Sequence, residues 1–144
     1  MARYMGGALS AGAGSTTLPL MSLYAIASNG CAVREVGVTN TTATAVAVKL
    51  ARCSTAGTQG SSITIAQYNS NRTPQMTMFN THTGGPTLAD AGYRAQLGAA
   101  VGAGVIWTFG DQGIIIEPAT THGLAVVIEN GTGQVCQVYF VWDE

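Results

Sequence analysis

Gly123-Leu124-Ala125-Val126-Val127-Ile128-Glu129, then Asn130-Gly131, then Thr132-Gly133-Gln134-Val135-Cys136-Gln137-Val138-Tyr139-Phe140-Val141-Trp142, is the stretch that decides the fold. Both arms carry the two-residue period of a strand. Leu124, Val126 and Ile128 fall on one face of the first. Cys136, Val138, Phe140 and Trp142 fall on one face of the second. Asn-Gly between them is a tight-turn signal, because both residues tolerate positive φ. The second arm is apolar on both faces, which predicts a central strand or one covered by a partner, since an exposed edge of that character aggregates.

Working outward, the same grammar repeats. Leu18–Ala27 ends at Ser28-Asn29-Gly30, and Cys31–Thr39 ends at Asn40-Thr41-Thr42. In Ala43–Arg52, Val46, Val48 and Leu50 alternate with Ala45, Ala47 and Lys49, so these last two runs read as an antiparallel hairpin. Ser61–Ala66 and Gln75–His82 read as short strands. Gly104–Phe109 and Gly113–Glu117 read as a hairpin about Gly110-Asp111-Gln112-Gly113. Ala91–Ala103 is the ambiguous segment. Asp90 and Arg94, four apart, suit a short helix, while its glycines argue against a long one. Eight to ten short strands with frequent turn signals predict an all-β, antiparallel β-sandwich. A jelly-roll arrangement is the first expectation and an immunoglobulin-like sandwich the alternative. Residues 18–144 form that single domain, and residues 1–17, rich in Gly, Ala and Ser, read as a flexible N-terminal arm. The arm carries Arg3, Tyr4 and Met5, which are the candidate partner-interface residues.

Composition narrows the function. Hydrophobic residues make up 47% of the 144 and charged residues only 9%, against about 25% in an average globular chain. Such a chain is too apolar for disorder. Its longest apolar runs, such as Leu97–Phe109, are broken by glycines and too short for a membrane helix, and Met1-Ala2-Arg3-Tyr4 does not open a signal peptide. Six basic and seven acidic residues are scattered along the chain, without the basic stripe that nucleic acid requires. Interfaces are depleted in Lys and Glu, so the charge deficit points to a surface covered by other protein. The expected partners exclude nucleic acid and membrane.

The search for chemistry returns no catalytic residue, cofactor or metal set. His82 and His122 lie in Thr-His-Thr and Thr-His-Gly contexts with no nucleophile motif beside them. Cys31, Cys53 and Cys136 lack metal-ligand or disulfide spacing and read as buried small hydrophobes. Glu117 and Glu129 are a carboxylate pair in name only, because sequence does not place them together. Gly98–Gly104 is glycine-rich but has no phosphate-loop lysine. The chain therefore reads as a non-enzyme.

Four segments carry a resemblance: Leu50–Gly60 (LARCSTAGTQG); Thr81-His82-Thr83 with Pro86; Leu97-Gly98-Ala99-Ala100 with Gly104–Gly110 (GVIWTFG); and Tyr139–Glu144 (YFVWDE). Together they resemble the capsid decoration, or cement, proteins of tailed bacteriophages, over about residues 45 to 144. The resemblance implies a structural virion protein, assembled in the host cytoplasm, that binds the outer surface of the phage head. It also implies the major capsid protein as partner, bridging of neighbouring subunits, and a homo-oligomer, dimer or trimer. A phage tail, fibre or receptor module is the alternative. There Trp107, Trp142 and Tyr68 would stack on a glycan, although strand context favours core packing for both tryptophans.

Overall fold

The computed structural model describes residues 1–144 and contains eleven strands and no helix. The strands are β1 (Arg3–Leu9), β2 (Met21–Tyr24), β3 (Cys31–Asn40), β4 (Val46–Cys53), β5 (Ile65–Gln67), β6 (Thr77–Phe79), β7 (Leu88–Leu97), β8 (Gly104–Thr108), β9 (Ile114–Ile116), β10 (Gly123–Asn130) and β11 (Cys136–Asp143). One sheet runs β5-β1-β11-β3-β8, with β9 also on β3. The other runs β6-β2-β10-β4-β7. Every pairing is antiparallel.

This order is a jelly roll. The first four strands pair with the last long ones in reverse, as β1 with β11, β2 with β10, β3 with β8 and β4 with β7. The chain is thus one long antiparallel ribbon rolled across two layers. The immunoglobulin-like grouping, ABED against CFG, does not fit this order.

The expected hairpins are not hairpins. β3 and β4 flank the turn at Asn40–Thr42 yet lie in opposite sheets, as do β10 and β11 on either side of Asn130-Gly131. In a rolled ribbon the short connections cross between layers, and pairing is left to strands distant in sequence. β8 and β9 do not pair with each other either. Both run antiparallel to β3, end to end, with the 109–113 turn looped out between them opposite Arg34. The ambiguous segment is a strand, not a helix. β7 carries a bulge at Gly92, whose φ of +86° only glycine adopts freely. The bulge sets the four-residue step from Asp90 to Arg94 against only two residues of β4, Lys49 to Ala51, which draws the two side chains close enough to form an ion pair.

The N-terminal arm is corrected most. Residues 3–9 form an inner strand between β11 and β5. Two glycines that suggested flexibility are there for close approach. A Cβ on Gly6 would stand 2.6 Å from Met78 Sδ, and one on Gly7 would stand 2.7 Å from Tyr139 Cβ. Tyr4 is a core residue, buried and stacked on Trp142 with ring centroids 6.1 Å apart. Its hydroxyl donates to the Arg72 carbonyl at 3.0 Å. The sandwich therefore begins at β1, not at residue 18.

The core lies between the sheets and holds the inward residues the alternation identified: Val46, Val48 and Leu50; Leu124, Val126 and Ile128; Cys136, Val138, Phe140 and Trp142. Trp107 and Trp142 are both buried, and the three cysteines are buried and unpaired. Trp142→Ala should lower unfolding free energy by about 4 kcal/mol, read from denaturant melts. Removing residues 1–9 should abolish the cooperative transition. An unchanged melting temperature in the truncated chain would contradict the inner-strand role of β1.

Candidate interaction surface

The two outer faces of the sandwich differ. That of the β6-β2-β10-β4-β7 sheet carries a second small cluster of Tyr24, Ala51, Cys53, Ala125 and Val127, all buried, with Phe79 and Leu88 packed on it. The 54–87 segment between β4 and β7 helps to cover it. The Tyr24 hydroxyl donates to the carbonyls of Thr55 and Ala56. His82 lies buried against β2, with its ring stacked on Tyr24 and its Nε2 2.7 Å from Ser22 Oγ.

A serine hydrogen-bonded to a histidine is the beginning of a nucleophilic pair. Here Ser22 is 0% and His82 2% exposed, so no substrate reaches the hydroxyl, and no partner satisfies His82 Nδ1. The pair holds the covering segment to the sheet. Burial also lowers the pKa of His82, because desolvation penalises the charged ring.

A second meeting of chemically capable residues escaped the sequence reading. Cys53, Glu117 and His122 share a hollow of about 250 Å³ with Arg52. Their separation along the chain gave no local signal. Burial pushes the Cys53 thiol up to about 11, so it is protonated at neutral pH and is a poor nucleophile. Glu117 and Glu129 stay apart. Glu117 lies near Gly123, where β10 starts, whereas Glu129 near its other end is paired with Arg94 at 2.5 Å. No group of three or more His, Cys, Asp and Glu residues is placed to hold a metal ion.

The outer face of the β5-β1-β11-β3-β8 sheet is open. Tyr139 at its centre lies over Gly37 of β3, in the space a Cβ there would occupy, and donates its hydroxyl to Glu35 at 2.6 Å. Burial, followed by the neighbouring carboxylate, pushes that phenol up to about 12. The ring separates three shallow hollows. One of about 390 Å³ runs along Gly7 to Leu9, one of about 370 Å³ lies among Arg3, Met5, Arg34 and Tyr68, and one of about 290 Å³ lies toward Gly104 and Ile106. Leu9 is 51% and Ile106 63% exposed on this face. Large apolar side chains left open together mark interaction surfaces.

Of the three residues expected at an interface, the face includes two. Met5 is 37% exposed on it. Arg3 is half-exposed at its edge, with Nε and Nη2 donating to both oxygens of Asp143 at 2.7 and 2.9 Å. Tyr4 is excluded, because in a strand its side chain points the opposite way, into the core. Arg34, the bulged residue of β3, reaches the same Asp143 at 2.7 Å and also donates to the Gly110 and Asp111 carbonyls. Asp143 thus links β1, β3 and the 109–113 turn at one end of the face.

Compared with known proteins, the chain matches no family model, no curated protein and no solved structure. The jelly-roll assignment rests on its own strand order.

The hydrogen bond from Arg3, with further help from Arg34, holds the Asp143 carboxyl below the usual carboxylate range. A depressed folded pKa contributes stability that is complete above the unfolded value of about 3.9 and is lost as pH falls through the folded value. His82 behaves the same way in a higher window. Its contribution is complete above about pH 6.5 and declines below it. Stability measured against pH should therefore fall in two steps on acidification. His82→Gln should remove the upper step and Asp143→Asn the lower. The second variant should also cost about 2 kcal/mol at neutral pH, because it unpairs two guanidinium groups.

Proposed function

We propose that this chain is a structural virion protein of the capsid decoration, or cement, type, seated on the outer surface of a tailed-phage head and bridging neighbouring major capsid subunits. The observation that carries the reading is the open sheet face around Tyr139, set against the covered face on the other side of the sandwich. A sandwich that leaves one broad face uncovered, with Met5, Leu9 and Ile106 exposed and its charges already engaged within the chain, suits a partner surface rather than a small substrate. The low charge of the whole chain fits a protein that spends its working life against other protein. The segment resemblance supplies the particle. Many copies, each with a modest interface, would add to a large total through multivalency.

The tail or receptor reading loses its strongest support, because Trp107 and Trp142 are core residues and have no free ring face for a sugar. Tyr68 is the one ring of the three with an exposed face, at 63%.

Particles assembled without the chain should lose their contents at lower temperature than complete ones, and adding purified protein back should restore them. Met5→Asp together with Leu9→Asp should weaken binding to stripped particles about tenfold or more while leaving the melting temperature of the free protein unchanged. Particles that resist heat and chelator equally with and without the chain would refute the assignment. Counting copies per particle separates the readings, since hundreds fit decoration and tens fit a tail component.

A further inference from the structure

β8 is an edge strand with no protection. Its ladder to β3 is bracketed by two bonds, Asn40 N–H to the Ala103 carbonyl and Phe109 N–H to the Arg34 carbonyl. In an antiparallel ladder the bonded residues alternate. Val105 and Trp107 therefore bond inward to β3, and Gly104, Ile106 and Thr108 turn their N–H and C=O groups outward. No other backbone or side-chain group meets those outward groups, since β8 pairs with β3 alone and the 24 bonds outside the ladders include none of the three residues.

The other edges are closed or blunted. β7 is broken by the Gly92 bulge and carries Asp90 and Arg94. On β9 the Ile115 carbonyl accepts from Arg52 Nη1 at 2.7 Å. β6 is three residues long and flanked by the 61–63 segment, through Ile63 N–H to the Met78 carbonyl and Asn80 N–H to the Ser61 carbonyl. β5 is three residues long. These are the usual defences of a sheet edge: bulge, charge, cover and shortness. β8 has none of them. From Leu97 to Gly110 the chain contains no charged residue and no proline, and Ile106 is 63% exposed.

We propose that β8 is an assembly edge that pairs antiparallel with β8 of a second copy across a two-fold axis at Ile106, joining two sheets into one. The occupant follows from self-complementarity. With Ile106 opposite Ile106, Gly104 falls opposite Thr108 and Thr108 opposite Gly104. In that register every outward group of one copy meets its complement on the other, and none is left over. A two-fold contact requires such a self-matching surface. The absence of charge means that two identical strands meet without like-charge repulsion. The exposed Ile106 side chains come side by side on the open face, so the dimer also doubles the width of that face. This inference does not depend on the particle reading, and either can fail alone.

Sedimentation equilibrium of the purified full chain should show a monomer–dimer equilibrium. Ile106→Lys should weaken it about tenfold or more, because it sets two lysines side by side at the two-fold axis, and Thr108→Lys should weaken it too, because it puts a charged side chain on the edge itself, opposite Gly104 of the other copy. Both side chains face solvent, so circular dichroism and the melting temperature of the monomer should be unchanged. Ile115→Lys, on the same sheet but off the joint, should leave the dimer intact. Hydrogen exchange gives the second readout. The amides of Gly104, Ile106 and Thr108 should exchange about tenfold or more slowly in the dimer than in the Ile106→Lys monomer. A wild-type chain that stays monomeric at its highest soluble concentration, pairing only with some other protein, would overturn the proposal. A dimer that survives both lysine variants, or that leaves those three amides unprotected, would overturn it too.

Discussion

Trp142 and Tyr4 stacked between the sheets are the contact on which the rest of this molecule depends. They sit at matched positions on the last and first strands of the roll, Tyr4 directly opposite Trp142 in the β1–β11 ladder. Stacking and burial of two large rings at that point close the chain's ends on each other. The next layer outward follows from the same pairing. Because Tyr4 and Trp142 face in, Arg3 and Asp143 must face out and side by side. The ion pair they form then recruits Arg34 from the bulge of β3 and, through it, the 109–113 turn. One end of the open face is therefore organised by an inward aromatic pair and its outward charged neighbours. It is a consequence of strand alternation rather than a separate design.

What the residues reveal without coordinates is the set of strands and their inward faces, because a period of two is a local property. Val46, Val48 and Leu50, or Cys136 through Trp142, announce their faces in a few residues. What they do not reveal is partnership. The ladder joining β1 to β11 spans nearly the whole chain, and no turn signal reports it. Asn130-Gly131 ends a strand whichever way the chain then goes, so a crossing between layers and a hairpin look alike. The N-terminal segment misleads for a related reason. Glycine there answers to Met78 and Tyr139, residues far away in sequence, and without those neighbours it is indistinguishable from a loose tail. The Asp90–Arg94 spacing that suited a helix is met in a strand because a glycine bulge shortens the distance between two residues that already share a face. The open face is only partly legible in the residues: a flexible arm and an outer strand face both leave Arg3 and Met5 accessible, and nothing local to Tyr139 marks it as the centre of a face.

The difference between the two outer faces has a structural cause. The segment joining β4 to β7 is long, and it lays short strands along the β1 and β2 edges of both sheets. On the way it supplies Thr55, Ala56 and His82 to cover the cluster around Tyr24. Nothing equivalent covers the other sheet. There the chain has instead removed bulk, with Gly37 and Gly7 making room for a single tyrosine ring. A face kept flat by glycines and filled by one amphipathic ring resists burial by its own chain but offers a broad seat to another. Tyr139 can lie on such a surface because its hydroxyl has a partner in Glu35, so a surface aromatic is held in one orientation rather than left to wander.

Charge is placed with the same economy. Arg3, Arg34 and Asp143 form one group, and Lys49, Asp90, Arg94 and Glu129 form another on the opposite sheet. Seven of the thirteen charged side chains thus face other charges of this chain. The two long edges differ. β8 carries no charged residue, whereas the opposite sheet's long edge at β7 carries an ion pair and a bulge. A chain that guards one edge and leaves the other bare has distinguished between them, and the bare one adjoins the open face through Ile106. Edge and face adjoin on one sheet, whose charges Arg3, Arg34, Glu35 and Asp143 are engaged in contacts within the chain, while the other sheet presents its partnered charges to solvent.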